Sequence, residues 1–279
     1  MNLKRLRSVL AALLALGFAA AHAQTQDTLP APIGQVSKDS VWVPTPDLLI
    51  HRMLQLADTT RRDFVIDLGS GDGRIPIAAA KVFGARALGV ELEQNLIDYS
   101  IRSAKRQGVA GRAKFIKQDL FETDLSKATV IAMYISPPVM EKLRAKLLTL
   151  APGTRLVSHH FTLGDWTPDE MVQVEERRAY LWLVPAQVEG RWAMRMGDTD
   201  YALRFEQAHQ MLSSAADIDG RPTTAFGARL RGDTIRFNLI DRNGDSRLFT
   251  GRVQGKAMRG DSNVLGGQLP APWSAKMLP

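Results

Sequence analysis

The stretch Asp63-Phe64-Val65-Ile66-Asp67-Leu68-Gly69-Ser70-Gly71-Asp72-Gly73-Arg74 constrains the fold more than any other part of the chain. Phe64, Val65 and Ile66 are apolar without a polar alternation, which predicts a strand buried on both faces, as in a parallel sheet. The run ends in Asp67, and glycines follow at alternate positions. Ile75 to Phe83 then reads as an alanine-rich helix. A strand, a glycine turn and a helix form a hairpin suited to a nucleotide: the glycines let a ligand approach the backbone, and the helix N-terminus favours polar or anionic groups.

The spacing narrows the ligand. A dinucleotide fingerprint needs G-x-G-x-x-G, whereas Gly69, Gly71 and Gly73 give G-x-G-x-G and Arg74 stands where the next glycine of that fingerprint would be. A second strand, Ala87 to Val90, ends in Glu91, about 20 residues past the turn, where a carboxylate accepts hydrogen bonds from a ribose diol. A third strand, Ala113 to Lys117, ends in Gln118-Asp119-Leu120. This ordered set resembles the class I S-adenosylmethionine-dependent methyltransferases. The resemblance implies S-adenosylmethionine as cofactor. It implies that Asp67 with Gly69, Ser70, Gly71 and Gly73 holds the methionine end, that Glu91 takes the ribose hydroxyls, that Asp119 faces the adenine amino group and that the Leu120 backbone lies beside the ring.

The first residues do not belong to this domain. Lys4, Arg5 and Arg7 precede an apolar run, Ser8 to Ala20, and Ala21-His22-Ala23 has the form of a cleavage site. The pattern is that of a signal peptide spanning 1–23, with cleavage after Ala23 and a periplasmic or secreted product; an uncleaved membrane anchor or a mitochondrial presequence shares parts of it. The chain has no cysteine, so neither disulfides nor a thiol-linked lipid is used. Of the net charge of +7, three positive charges belong to the leader. No basic run or basic stripe interleaved with aromatics occurs, so nucleic acid is not an expected partner. A mildly basic surface facing anionic envelope components stays open.

Residues 24–39 hold Pro30 and Pro32 and read as an extended tail. In Val43-Pro44-Thr45-Pro46, Thr45 fits a helix N-cap with Pro46 at the first helical position. A V-P-T-P segment before a helix also resembles one methyltransferase branch, which includes bacterial exported proteins and mitochondrial protein-lysine methyltransferases. There the segment lies over the cofactor, and both readings of Thr45 stand. A helix after Glu91 stops near Gly108, a fourth strand spans Thr129 to Ile135, and a helix opens at Pro137 or Pro138. A fifth strand runs from Thr154 to Ser158, Gly164-Asp165-Trp166-Thr167-Pro168 reads as a loop, and Met171–Val174 and Ala179–Val184 pair antiparallel. This Rossmann-like α/β domain is expected over 40–185.

From about residue 186 to the end the pattern changes to short alternating segments between turn signals such as Asn243-Gly244. We expect a small all-β appendage, a sheet or partial barrel, over 186–279.

Methyl transfer needs alignment and exclusion of water, with the reactive group carried by the cofactor; no metal-ligand spacing occurs and no metal is expected. Acceptor-side candidates lie past strands four and five: Tyr134 and His159 are the catalytic candidates, at most one of His159 and His160 can face the cleft, and Trp166 is either packing or a substrate contact. Ser136-Pro137-Pro138-Val139 lacks the aromatic of an amino-holding S/N/D-P-P-aromatic motif. The expected function is exported methyl transfer to an amine, protein lysine by resemblance, with a small-molecule acceptor open. A non-catalytic envelope binding protein that keeps the fold is the alternative. An NAD enzyme fails on Arg74 and on the lack of a second catalytic domain. Stable membrane insertion is not expected, and the oligomeric state is not legible.

Overall fold

The computed structural model describes residues 43–264 and 270–279. The leader, its cleavage site, the tail to residue 39 and the first residues of the 40–185 domain lie outside the described residues. The described chain forms two halves of one compact unit. The first is a seven-stranded sheet. It contains β1 (Phe64–Leu68), β2 (Arg86–Glu91), β3 (Ala113–Lys117), β4 (Val130–Met133), β5 (Arg155–His159), β6 (Glu170–Val174) and β7 (Arg177–Leu183), in the order β3-β2-β1-β4-β5-β7-β6. The first five strands are parallel and β7 runs antiparallel between β5 and β6.

Among the described residues, four helices cover the sheet: α1 (Asp47–Leu56), α2 (Arg74–Val82), α3 (Gln94–Arg106) and α4 (Pro137–Leu148). Parallel strands bury both faces, and alternate residues go to opposite sides. Val65, Val130, Ala132 and Val157 pack with Leu49, Ile50 and Met53 of α1. Ile66, Ile131, Met133 and Leu156 pack with Met140, Leu143 and Leu147 of α4. Prolines at the first positions of α4 suit a helix start, where their missing N–H is not needed. Helix α1 begins one residue later than expected. Pro46 is its N-cap and Thr45 caps nothing; the Thr45 hydroxyl is instead turned to another part of the fold. The segment between β5 and β6 is a loop, as the Gly164 to Pro168 composition indicated. Trp166 in it is wholly buried, stacks 5.5 Å from His209 and accepts a hydrogen bond from Trp182 Nε1 through its carbonyl. Trp166 is therefore packing.

The second half is the expected all-β appendage, and it closes further than the sheet or partial barrel anticipated. Its strands are β8 (Gly190–Met196), β9 (Thr199–Ala208), β10 (Met211–Ile218), β11 (Arg221–Thr223), β12 (Ala225–Arg231), β13 (Thr234–Ile240), β14 (Ser246–Gln254), β15 (Ala257–Val264) and β16 (Ala271–Met277). Consecutive antiparallel pairing carries the ladder from β12 to β16, β16 returns to β8, and β9 and β10 complete the ring to β12, so that eight strands close and the short β11 rides on β10. Closure removes the sheet edges that an open meander would expose. The interior is filled: Phe237 and Phe249 stack at 5.0 Å, and Trp273 meets both edge-on. An eight-stranded barrel is just wide enough for side chains to fill. Gly251 makes the room, since a Cβ there would lie 2.5 Å from Trp273.

The halves join along the sheet edge. Gln210 Nε2 donates to the Thr167 carbonyl at 2.6 Å, the Ala186 amide donates to the Gly232 carbonyl at 2.9 Å, and Arg231 pairs with Glu170. No helix among the described residues is long and apolar enough to cross a membrane.

Candidate active site

A pocket opens at the C-terminal ends of β1 to β4, where open α/β sheets bind ligands. Its floor is the glycine turn. Gly69, Gly71 and Gly73 all take positive φ, between 54° and 77°, a region L-residues with side chains enter at a cost. The amides of Gly69 and Ser70 donate to the Val90 carbonyl at 3.0 and 2.9 Å, which ties the turn to β2. Gly69, Ser70 and Gly71 line the pocket and Gly73 does not. Gly73 is the N-cap of α2, and a Cβ there would lie 2.6 Å from Phe115 and from Ser100. Its lack of a side chain serves helix packing, outside the residues that line the pocket. The Ser70 hydroxyl is buried without a hydrogen-bond partner and lies against Gly89, so the residue faces the pocket through its backbone side.

Glu91 stands at the end of β2. Its Oε2 accepts from the Gly71 amide at 2.9 Å, and its Oε1 accepts from the amides of Leu92 and Glu93 at 2.7 and 3.1 Å. The carboxylate thus orients the glycine turn as well as facing the pocket. Asp119 and Leu120 also line it, and Asp119 Oδ1 accepts from the Phe121 amide at 2.8 Å. Asp67 is buried at the end of β1. Desolvation, then the neighbouring Glu91 and Asp72 carboxylates, hold its carboxyl well above the ordinary range of 3.8.

Val43, Pro44 and Thr45 form the wall opposite the turn. Arg74, which in the sequence only marked an absent glycine, holds this strap: its Nη1 donates to the Thr45 carbonyl at 3.0 Å, while its Nε and Nη2 fork onto the Asp72 carboxylate. The Thr45 hydroxyl meets His159 Nδ1 at 3.1 Å. The His159 ring stacks on Tyr134 at 3.9 Å, and Tyr134 lies 6.1 Å from Phe161.

Tyr134 lines the pocket; His159 does not. His159 is 1 % exposed, and burial, reinforced by Arg177 and His160, lowers its pKa to about 4. It is a neutral ring stacked on Tyr134, behind the residues that line the pocket, and it contacts the strap and the tyrosine. His160 takes φ of 70° and is exposed. Arg74, Asp72 and the apolar mouth residues Leu92 and Phe121 were missed as site residues. The signal for Arg74 and Asp72 was present as an acid and a base within the turn; nothing local marks the other two. Among the described residues no cluster of three or more metal-ligating side chains occurs.

The donor set fits a nucleoside cofactor with a cationic tail. Among the described residues, Asp67, Asp72, Glu91, Glu93 and Asp119 line the pocket against one guanidinium, that of Arg74. A sulfonium and an ammonium compensate buried carboxylates that otherwise repel one another. A family model described as the ANTKMT methyltransferase domain matches residues 67–170. A protein-lysine N-methyltransferase of Saccharolobus islandicus is 42% identical over 149 residues, which cover 51% of this chain and 92% of that protein. The chain belongs to the class I S-adenosylmethionine-dependent methyltransferases.

The methyltransferase also shares 42% identity with a lysine N-methyltransferase of Rattus norvegicus whose name specifies an ATP synthase component, over 46% of its own length and 59% of the relative's. A crystal structure described as an RNA methyltransferase from Salinibacter ruber with S-adenosyl-L-homocysteine superposes with a TM-score of 0.51 at 46% identity, covering 52% of the methyltransferase and 96% of that chain. Each of these matches covers about half of the methyltransferase. Its cofactor is S-adenosylmethionine.

Proposed function

We propose that this methyltransferase transfers the methyl group to the side-chain nitrogen of protein lysine, and that it does so after export. The observation that carries the acceptor is the charge of the pocket: among the described residues, five carboxylates and one guanidinium line it. That field attracts an ammonium and repels a phosphate backbone. The names of the Saccharolobus and rat relatives agree with it; the name of the Salinibacter structure points to RNA, which the same field disfavours. The leader pattern supports export.

The cofactor, when bound, supplies an electrophilic methyl on its sulfonium. The residues proposed to hold it are Asp67 with the Gly69 to Gly71 turn at the aminoacyl end, Glu91 at the ribose, and Asp119 with the Leu120 backbone at the base. The chain does the rest by position. Arg74 and His159 fix the Thr45 strap from both sides, His159 sets the plane of Tyr134, and the strap keeps water from the pocket. The neutral His159 adds no cation beside an incoming amine. The reading of the fold as a binding module without turnover finds no support in a site whose motif acids and pocket glycines are all in place.

Methyl-labelled S-adenosylmethionine incubated with the protein, an envelope protein extract and total RNA tests the acceptor. Label recovered as methyl-lysine after hydrolysis supports it; label in RNA nucleosides with none in lysine overturns it. A chain beginning at Gln24 in the envelope fraction supports export, and an intact leader on cytosolic protein overturns it.

A further inference from the structure

The outer wall of the barrel carries a charge pattern that its own stability does not explain. Arg229 and Arg231 on β12, Arg236 on β13, Arg252 on β14 and Arg259 on β15 are all exposed. The register sets Arg229 directly opposite Arg236, and Arg252 directly opposite Arg259. Like charges facing each other across an antiparallel ladder weaken it. Two of the five pair directly with carboxylates, Arg231 with Glu170 and Arg252 with Asp233, and Arg229 lies in the field of Asp169. Among the described residues Arg229, Arg236 and Arg259 form no salt bridge. Their neighbours Ala228, Leu230, Ile235, Phe237 and Met258 point inward and do the packing, so uncharged residues at the arginine positions would leave the barrel core as it is. The next rank of the same wall pairs Phe226 with Asn238 and Asn238 with Leu248, and Phe226 is 43% exposed beside the Gly227 irregularity.

We propose that this wall docks the protein on an anionic bilayer surface, with the guanidinium groups on lipid phosphates and Phe226 in the boundary between headgroups and acyl chains. Guanidinium matches phosphate geometry in a bidentate fork and is weakly hydrated, and an exposed aromatic beside basic residues is the pattern of an interfacial anchor. A nucleic acid fits less well: the wall is a convex strand surface with one exposed aromatic at its rim, whereas single strands are bound in grooves with aromatics interleaved for base stacking. The pocket carries the opposite charge, so the wall and not the site faces the lipid. Docking of the wall is independent of which acceptor the site uses.

The test is co-sedimentation of the full chain with vesicles of phosphatidylcholine alone or mixed with phosphatidylglycerol, beside the triple variant Arg229→Gln, Arg236→Gln, Arg259→Gln. Both proteins carry the same leader, so its contribution cancels in the comparison. Each arginine near an anionic surface raises partitioning about fivefold, so the triple variant loses roughly a hundredfold on the mixed vesicles. Added salt erases that difference, and S-adenosylhomocysteine affinity is the same in both proteins. Phe226→Ser gives a smaller loss. The proposal is overturned if parent and triple variant sediment alike, if the parent does not distinguish the two vesicle types, or if the parent binds a single-stranded RNA more tightly than the vesicles and the triple variant loses the RNA.

Discussion

The sheet half and the barrel half use glycine and charge in opposite ways. In the sheet half, glycines open the ends of strands: Gly69 and Gly71 turn the backbone so that a ligand can lie on it, and Asp67, Asp72 and Glu91 crowd around the space. In the barrel half, Gly251 sits mid-strand, and the room it leaves is taken by Trp273. Charge is gathered at the pocket in one half and turned outward in the other. The barrel interior holds Trp192, Phe205, Phe237, Phe249 and Trp273, and its arginines face solvent except Arg247, which is largely buried beside Asp241. An open sheet whose order reverses leaves a crevice at its carboxyl ends. A closed eight-stranded ring leaves none unless its side chains are small. The first architecture keeps a site at the cost of mutual repulsion among acids. The second spends its interior on packing.

The largest effect that can break this contrast is in the barrel. Trp273→Ala removes a ring that meets Phe237 and Phe249, and is expected to cost about 3–5 kcal/mol of stability. S-adenosylhomocysteine affinity at low temperature stays at the parent value. Calorimetric unfolding with a parallel binding titration checks both, and a fall in affinity in the folded variant would mean that the barrel shapes the site. The converse substitution is Glu91→Ala. It deletes the proposed ribose acceptor together with the anchor of the Gly71, Leu92 and Glu93 amides, so cofactor affinity should drop about a hundredfold, close to 3 kcal/mol. Unchanged affinity in isothermal titration would show that the β2 acid has no part in binding.

A smaller effect concerns protons. The Asp67 carboxyl is raised above 3.8 in the free protein by burial, Glu91 and Asp72. The stability this gives is fully present below the unfolded value and is lost as pH rises through the raised one. A cationic tail beside Asp67 pulls the value down, so cofactor binding in that interval releases a proton and tightens as pH rises. Titrations in buffers of different ionisation heat should show the release, and Asp67→Asn should abolish it. Heats that do not depend on the buffer would place the tail elsewhere.

The smallest effect is at His159. With a folded value of about 4 against 6.5, the unfolded chain takes up a proton between those values while the folded chain does not, so stability falls as pH drops through that window. His159→Gln should flatten the limb and, by freeing Thr45 and Tyr134, raise KM more than it lowers kcat. An acid limb of the same slope in parent and variant would assign the titration to another group.

Much of the sheet half was legible because its signals are local. The buried strand at Phe64 to Ile66, the acids at Asp67, Glu91 and Asp119 and the proline-led helix at Pro137 each sit within a few residues of the feature that defines them. The loop at Gly164 to Pro168 was legible for the same reason. The surroundings of Gly73 and His159 were not legible because they are contacts distant in sequence. Gly73 answers to Phe115 and Ser100, and His159 to Thr45 and Tyr134. The barrel was half legible. Alternation and Asn243-Gly244 gave hairpins, but the return of β16 to β8 joins Trp273 to Met196, a pairing that no local pattern encodes.

The sequence by itself determined the strand-and-glycine hairpin and the change of architecture near residue 186, because propensity, periodicity and motif spacing act over a few residues; the cofactor class came from the resemblance of the ordered motifs to a known family. Tertiary structure alone decided that Arg74 and His159 pin the Thr45 strap, that Trp166 is buried, that the barrel closes and is filled, and that five arginines share one wall. Those outcomes rest on which distant strands pair and in what register. Register is set by the summed packing of a whole face, and only the folded chain performs that sum.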